Sequence, residues 1–158
     1  MKKLSTKRKQ DSSCKCGVSP LKSKIVNGEE TPINKYPWMV AVMYINKAGD
    51  LSQFCGGSII SDKYVLTAAH CLSPKDETYV RLGDHDYEQE GETKFAVDIF
   101  VAKQWMHAGF DWDTFDKDIG LLYLDKSIQF SKYEGTIVPV CLPTEHLKYY
   151  NMEATIEI

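Results

Sequence analysis

Phe95-Ala96-Val97-Asp98-Ile99-Phe100-Val101-Ala102 is the stretch on which the fold turns. Phe95, Val97, Ile99 and Val101 alternate with Ala96, Asp98, Phe100 and Ala102. Period two throughout places one set on each face of a β-strand. Working outward, Trp38 to Ile45 and Phe54 to Ile60 are apolar runs of strand length. The second closes on Ser61-Asp62-Lys63, a turn, and Tyr64 to Thr67 follows as its hairpin partner. Ala68 to Leu72 makes a short helical turn at most, Thr78 to Leu82 a strand, and Ile119 to Leu124 a buried apolar strand. Val138 to Leu142 is an extended piece ending at Pro143. An acidic loop covers Asp84 to Glu92, and a long polar loop with Gly109 covers Met106 to Lys117. Short strands at loop-length spacing predict an all-β fold, a small antiparallel barrel or sandwich. There is no internal repeat and no low-complexity tract.

The 158 residues suit one domain with a real core. The hydrophobic fraction is 43% and the charged fraction 26%, ordinary for a soluble globular protein. No run approaches the roughly 18 apolar residues of a membrane span. The net charge of −3 hides an asymmetry: residues 1–24 carry +7 and the remainder −10. Residues 1–24 read as a basic leader or linker, with order beginning at Ile25. They do not read as a nucleic-acid arm, because no aromatics interleave the lysines and the body is acidic. Met1 to Asp11 is followed by no apolar core, so it is not a signal peptide. The five cysteines point to an oxidising compartment. The two readings agree if the sequence begins downstream of the true N-terminus.

Two motifs carry chemistry. In Leu66-Thr67-Ala68-Ala69-His70-Cys71 a histidine follows a strand and precedes a cysteine. A lone histidine is ordinarily a satisfied core or surface residue. Here two small residues let the backbone pack beside the imidazole. A Cys71–Cys55 bridge, worth about 3 kcal/mol by chain entropy, would fix the ring as a general base requires. In Asp118-Ile119-Gly120-Leu121-Leu122 a carboxylate opens an apolar strand. It reads equally as a turn residue or as a buried acid that holds an imidazole tautomer.

A resemblance goes further. Ile25-Val26-Asn27-Gly28-Glu29-Glu30 resembles the N-terminus of an activated chymotrypsin/trypsin-like serine protease. Pro37-Trp38, Cys55-Gly56-Gly57-Ser58-Ile59-Ile60, Leu66 to Cys71, Asp118 to Leu122 and Val140-Cys141-Leu142-Pro143 follow in family order. The likeness runs from about Cys16 to the C-terminus. It implies a trypsin-like protease domain over 25–158, the first of that fold's two antiparallel β-barrels. It makes His70 the general base and Asp118 its orienting carboxylate.

The same resemblance makes Lys24-Ile25 the zymogen's activation site, cut by an upstream protease that cleaves after Lys or Arg. It pairs Cys55 with Cys71 and Cys16 with Cys141, leaving Cys14 over; Cys14–Cys141 is the alternative pairing. The acidic loop resembles the family's calcium loop, with Asp84, Asp86, Glu90 and Glu92 as weak donors of altered spacing. It reads better as a solvated loop, and no cofactor is required. His85, His107 and His146 read as surface residues, and no Cys/His spacing suggests zinc.

No Gly-Asp-Ser-Gly-Gly occurs within 1–158, and Gly56-Gly57-Ser58 has no family role as nucleophile. The resemblance therefore implies a secreted serine endopeptidase acting on protein or peptide substrates and subject to macromolecular inhibitors. It further implies that this chain, a first barrel lacking the nucleophilic Ser, is inactive alone. The alternative is a non-catalytic protease homologue serving as a binding or regulatory module.

Overall fold

A computed structural model of the chain describes residues 15–19, 32–46, 48–73, 76–86, 89 and 91–143. Six strands dominate them: β1 (Met39–Ile45), β2 (Leu51–Ile59), β3 (Tyr64–Thr67), β4 (Thr78–Leu82), β5 (Val97–Met106) and β6 (Gly120–Leu124). They close into a barrel in the order β1-β2-β3-β6-β5-β4, and β4 pairs back onto β1. Every pairing is antiparallel. Closure leaves no unpaired edge among these strands, the usual hazard of a small all-β domain.

The alternation in β5 carries through as expected. Ile99 and Val101 are buried and Val97 partly so, while Asp98 and Phe100 face outward. The strand begins at Val97, later than its periodicity suggests, and runs on to Met106 through a bulge between Val101 and Lys103. A bulge inserts one residue and flips the faces beyond it. Gln104, not Lys103, is therefore the half-buried side chain. A second register shift lies opposite Val42 and Met43, where Phe54 is the extra residue of β2; Val42 and Met43 are both buried.

Inward residues from all strands form one core: Val40, Val42, Ile59, Val65, Val80, Leu82, Ile99, Val101, Leu122 and Leu124, with Leu72, Ile128 and Ile137 capping it. Burying each such side chain contributes about 1.5–3 kcal/mol. Gly57 lets β1 and β3 close over β2, since a Cβ there would sit 2.8 Å from the Val65 side chain. Val138 to Leu142 is extended but forms no regular strand. Its amides are spent singly, Val138 on the Pro37 carbonyl and Val140 on the Ile59 carbonyl.

Candidate active site

His70 and Asp118 lie far apart in sequence and meet because β3 and β6 are neighbours. Thr67 at the end of β3 pairs with Gly120 at the start of β6. Beyond Thr67 the chain tightens into one 3-10 turn, Ala69–Cys71, whose middle residue is His70. Just before Gly120 stands Asp118. Gly120 is needed there for space: a Cβ would lie 2.9 Å from the Ala68 carbonyl oxygen and 3.0 Å from the Leu72 side chain.

The Asp118 carboxylate takes His70 at two points. Its Oδ1 accepts the His70 backbone N–H at 2.9 Å, and its Oδ2 lies 2.7 Å from Nδ1. An ionised carboxylate only accepts, so Nδ1 carries a proton, and in the neutral imidazole Nε2 keeps its lone pair. Burial pushes the Asp118 carboxyl up. The bonds from the His70 amide and ring, the His70 charge and the Ala69 amide outweigh that and hold it below the usual carboxylate range. The His70 side chain is 43% exposed.

The Cys55–Cys71 disulfide, with Cα atoms 6.0 Å apart, pins the turn to β2. Cys71 is buried, and its Sγ lies 3.5 Å from His70 Nε2. Among the described residues, Cys55, His70 and Cys71 are the one group of three metal-capable side chains whose ligand atoms lie within 4.8 Å of one another.

Two neighbours of the site escape a reading of the sequence. Gln104 accepts the Ser73 N–H at 3.1 Å and donates to the Ser73 carbonyl at 3.3 Å and to Thr78 Oγ1 at 2.9 Å. It thus anchors the segment leaving the His70 turn. Phe115 sets its ring edge-on to the imidazole at 5.6 Å, with φ of 58°. It stands in a loop folded around Asp111, whose Oδ1 accepts the Asp113 and Thr114 amides. Those two bonds hold the Asp111 carboxyl below its ordinary value. Nothing local in the sequence marks either Gln104 or Phe115.

The acidic loop is occupied by its own protein partners. Arg81 forms a two-point pair with Asp98 at 2.7 and 2.8 Å and approaches Asp84 at 3.7 Å. Burial raises the Asp84 carboxyl, only partly offset by Arg81. Glu92 accepts the Asp86 amide at 2.7 Å. Among the described residues, Asp84, Asp86 and Glu92 do not form a group of three with closely spaced ligand atoms. Glu90 lies outside the described residues, as do Lys24, Ile25, Cys14 and His146. His107 is exposed, whereas His85 is half-buried rather than a plain surface residue.

Cys16 is bonded to Cys141 with Cα atoms 4.9 Å apart. The Gly17 amide adds a bond to the Pro139 carbonyl, and Ser19 Oγ one to the Lys35 carbonyl. The leader is therefore not all free linker: residues 15–19 are seated on the barrel. Ser58 sits within β2, paired with Met39 and Leu66.

Comparison with known proteins agrees with this geometry. The family described as Trypsin matches residues 25–157. The proclotting enzyme of Tachypleus tridentatus is 34% identical over 143 residues, covering 85% of this chain and 37% of its own length. Serine protease grass of Drosophila melanogaster is 35% identical over 152 residues, covering 88% and 39%. The crystal structure of the Drosophila Grass clip serine protease of the Toll pathway superposes with a TM-score of 0.72 at 32% identity, covering 85% of this chain and 40% of that one. The chain thus spans about two fifths of the length of these relatives. The matched span, the closed β-barrel and the His70–Asp118 pair lead to one conclusion: this chain belongs to the trypsin family of serine proteases.

Proposed function

We propose that His70 and Asp118 are the general base and orienting carboxylate of a secreted serine endopeptidase acting on proteins or peptides. The observation that carries this is the 2.7 Å contact between His70 Nδ1 and Asp118 Oδ2, with the second carboxylate oxygen on the His70 amide. That grip fixes one tautomer and one ring orientation. Nε2 can then take the proton of a serine hydroxyl as it attacks a peptide carbonyl and later return it to the leaving amine. The imidazolium formed in between faces a carboxylate held in its charged form. No cofactor takes part.

Residues 1–158 supply no Gly-Asp-Ser-Gly-Gly, so the 158-residue polypeptide alone has a base with nothing to activate. Activation in this proposal follows cleavage after Lys24 by a protease of basic specificity, and protein inhibitors are natural partners. Secretion fits the two disulfides and relatives that include a clotting enzyme and a venom serine protease. Among the described residues no helix is long and apolar enough to cross a membrane.

The test uses two polypeptides, residues 1–158 and a product extended by the coding sequence after Ile158, both cleaved after Lys24. The short one should neither hydrolyse a peptide library nor react with an active-site-directed serine reagent. The extended one should do both, and His70→Ala should abolish hydrolysis. Labelling of the short chain would show that the nucleophile has been misplaced. An extended product that binds peptides without turnover would establish a non-catalytic homologue instead.

A further inference from the structure

We propose that Cys55, Cys71 and His70 form a latent zinc site of the Cys2His type, assembled when a dithiol reductant opens the Cys55–Cys71 bridge. The spacing of these residues along the chain gives no hint of it; the fold brings them together. Their ligand atoms already lie within 4.8 Å of one another.

The geometry suits the ion. With Zn–S of about 2.3 Å and Zn–N of about 2.0–2.1 Å, a tetrahedral site has S···N edges of about 3.5 Å and S···S edges of about 3.8 Å. Cys71 Sγ stands 3.5 Å from His70 Nε2 without any movement. Opening the disulfide must only let the two sulfurs part, and side-chain rotation across Cα atoms 6.0 Å apart permits that. The outer shell is also in place. His70 Nδ1 is bonded to Asp118 at 2.7 Å, the carboxylate–histidine arrangement that orients a zinc-bound imidazole. The exposed imidazole and the half-buried Cys55 give reductant and ion a way in. The fourth position is left to water.

The chemistry balances. The dithiol is oxidised to its own disulfide while the Cys55–Cys71 bond is reduced to two thiols. Zinc then binds both as thiolates and releases two protons, and the neutral imidazole gives its Nε2 lone pair. The metal chemistry stands whether or not His70 is a general base. Its consequence, that zinc occupies the lone pair a base needs and silences it, rests on the proposed function.

The experiment uses the 158-residue chain with Cys14→Ser, Cys16→Ser and Cys141→Ser, which leaves Cys55 and Cys71 as its only cysteines. A phosphine serves as reductant because it adds no thiolate, and cobalt(II) serves as the probe. Expected on reduction are one cobalt per chain, a thiolate-to-metal charge-transfer band and intense tetrahedral d–d bands, all reversed by zinc. None should appear before reduction. Cys71→Ser should remove the charge-transfer band, His70→Ala should change the d–d bands, and Asp118→Asn should weaken binding by about 10–100-fold. A reduced chain without the thiolate band, or a spectrum indifferent to His70→Ala, overturns the proposal. Should the serine background not fold, X-ray absorption of the zinc-loaded, reduced, unaltered chain replaces it. Imidazole scattering that disappears in His70→Ala supports the site, and its absence from the outset overturns it. Neither arm reads peptidase activity, so a failure here leaves the triad reading untouched, and the reverse holds.

Discussion

Asp118 holds His70 through two different parts of the residue, the backbone amide at 2.9 Å and the ring Nδ1 at 2.7 Å. A single bond to the ring would orient the imidazole but let the turn beneath it drift. Both together tie the 3-10 turn to the start of β6. Asp118→Asn should therefore have two effects. In a catalytically complete protein it should lower kcat by about 10⁴-fold with little change in KM, the scale of a lost orienting carboxylate. In the 158-residue chain it should alter the acid limb of stability. The folded carboxyl lies below its ordinary value of 3.8, so its contribution is present above that pH and is lost as pH falls through the lower, folded value. Melting curves between about pH 2 and 6 should show a shallower acid decline in the variant. Parallel curves would mean the contacts contribute nothing to folding.

Gly120 is where the site meets the barrel wall. Gly120→Ala places a methyl against the Ala68 carbonyl at 2.9 Å, and backbone cannot give way as a flexible side chain can. The expected loss is about 1–3 kcal/mol, the range for overpacking. The displaced Ala68 should also carry the His70 turn with it. Denaturant unfolding measures the first effect, and the His70 ring proton shifts by NMR the second. Unchanged shifts would separate the glycine from the site.

The barrel was legible in the sequence to the extent that burial follows alternation. Tyr64–Thr67 and Thr78–Leu82 form the strands their patterns predict, and Val97, Ile99 and Val101 take the inward face of β5. Pattern failed where geometry is set by a partner strand. The β5 bulge arises from pairing with β6, and it reverses which residues face in from Gln104 onward. β2 begins at Leu51 rather than Phe54 because Leu51, Ser52 and Gln53 pair with Ile45, Tyr44 and Met43. The His70–Asp118 contact is a product of β3–β6 pairing, and spacing along the chain carries no trace of it. There the family resemblance supplied what periodicity could not.

Gln104 tests the anchoring of the turn from the other side. Its amide satisfies both backbone groups of Ser73 and the Thr78 hydroxyl, and Thr78 is itself buried. Gln104→Ala should cost about 1 kcal/mol, because the Ser73 N–H loses its partner, while the Ser73 carbonyl keeps the Asp76 N–H and the Thr78 hydroxyl keeps the Asp76 carbonyl. Amide hydrogen exchange should rise at Ser73 and along the Ala69–Cys71 turn more than in β1 or β2. A uniform rise across the barrel would indicate simple global destabilisation.

The acidic loop should not respond to calcium. Arg81 already stands beside Asp84 and Asp98, and burial favours the neutral form of Asp84. A ligand present at a hundred times its Kd would stabilise the fold by about 2.7 kcal/mol, a plain rise in Tm. Millimolar calcium should leave Tm unchanged. A clear rise, abolished by Glu90→Gln, would show that the loop closes on the ion after all.

The Cys16–Cys141 bridge makes a prediction about what survives activation. It spans 125 residues, and a loop of that length is worth about 4–5 kcal/mol in the chain-entropy account. It also crosses the bond Lys24–Ile25, so cutting there leaves the leader attached through sulfur. Mass spectrometry after cleavage at Lys24 should show a single species that gains one water under non-reducing conditions. Reduction should divide it into residues 1–24 and the remainder. Cys14→Ser should leave this behaviour intact, and Cys16→Ser should release the leader without reductant. The opposite pattern would assign the bridge to Cys14. Loss of the leader from both variants would mean that neither cysteine alone keeps it attached to Cys141. Loss from neither would mean that Cys14 and Cys16 exchange as partners of Cys141.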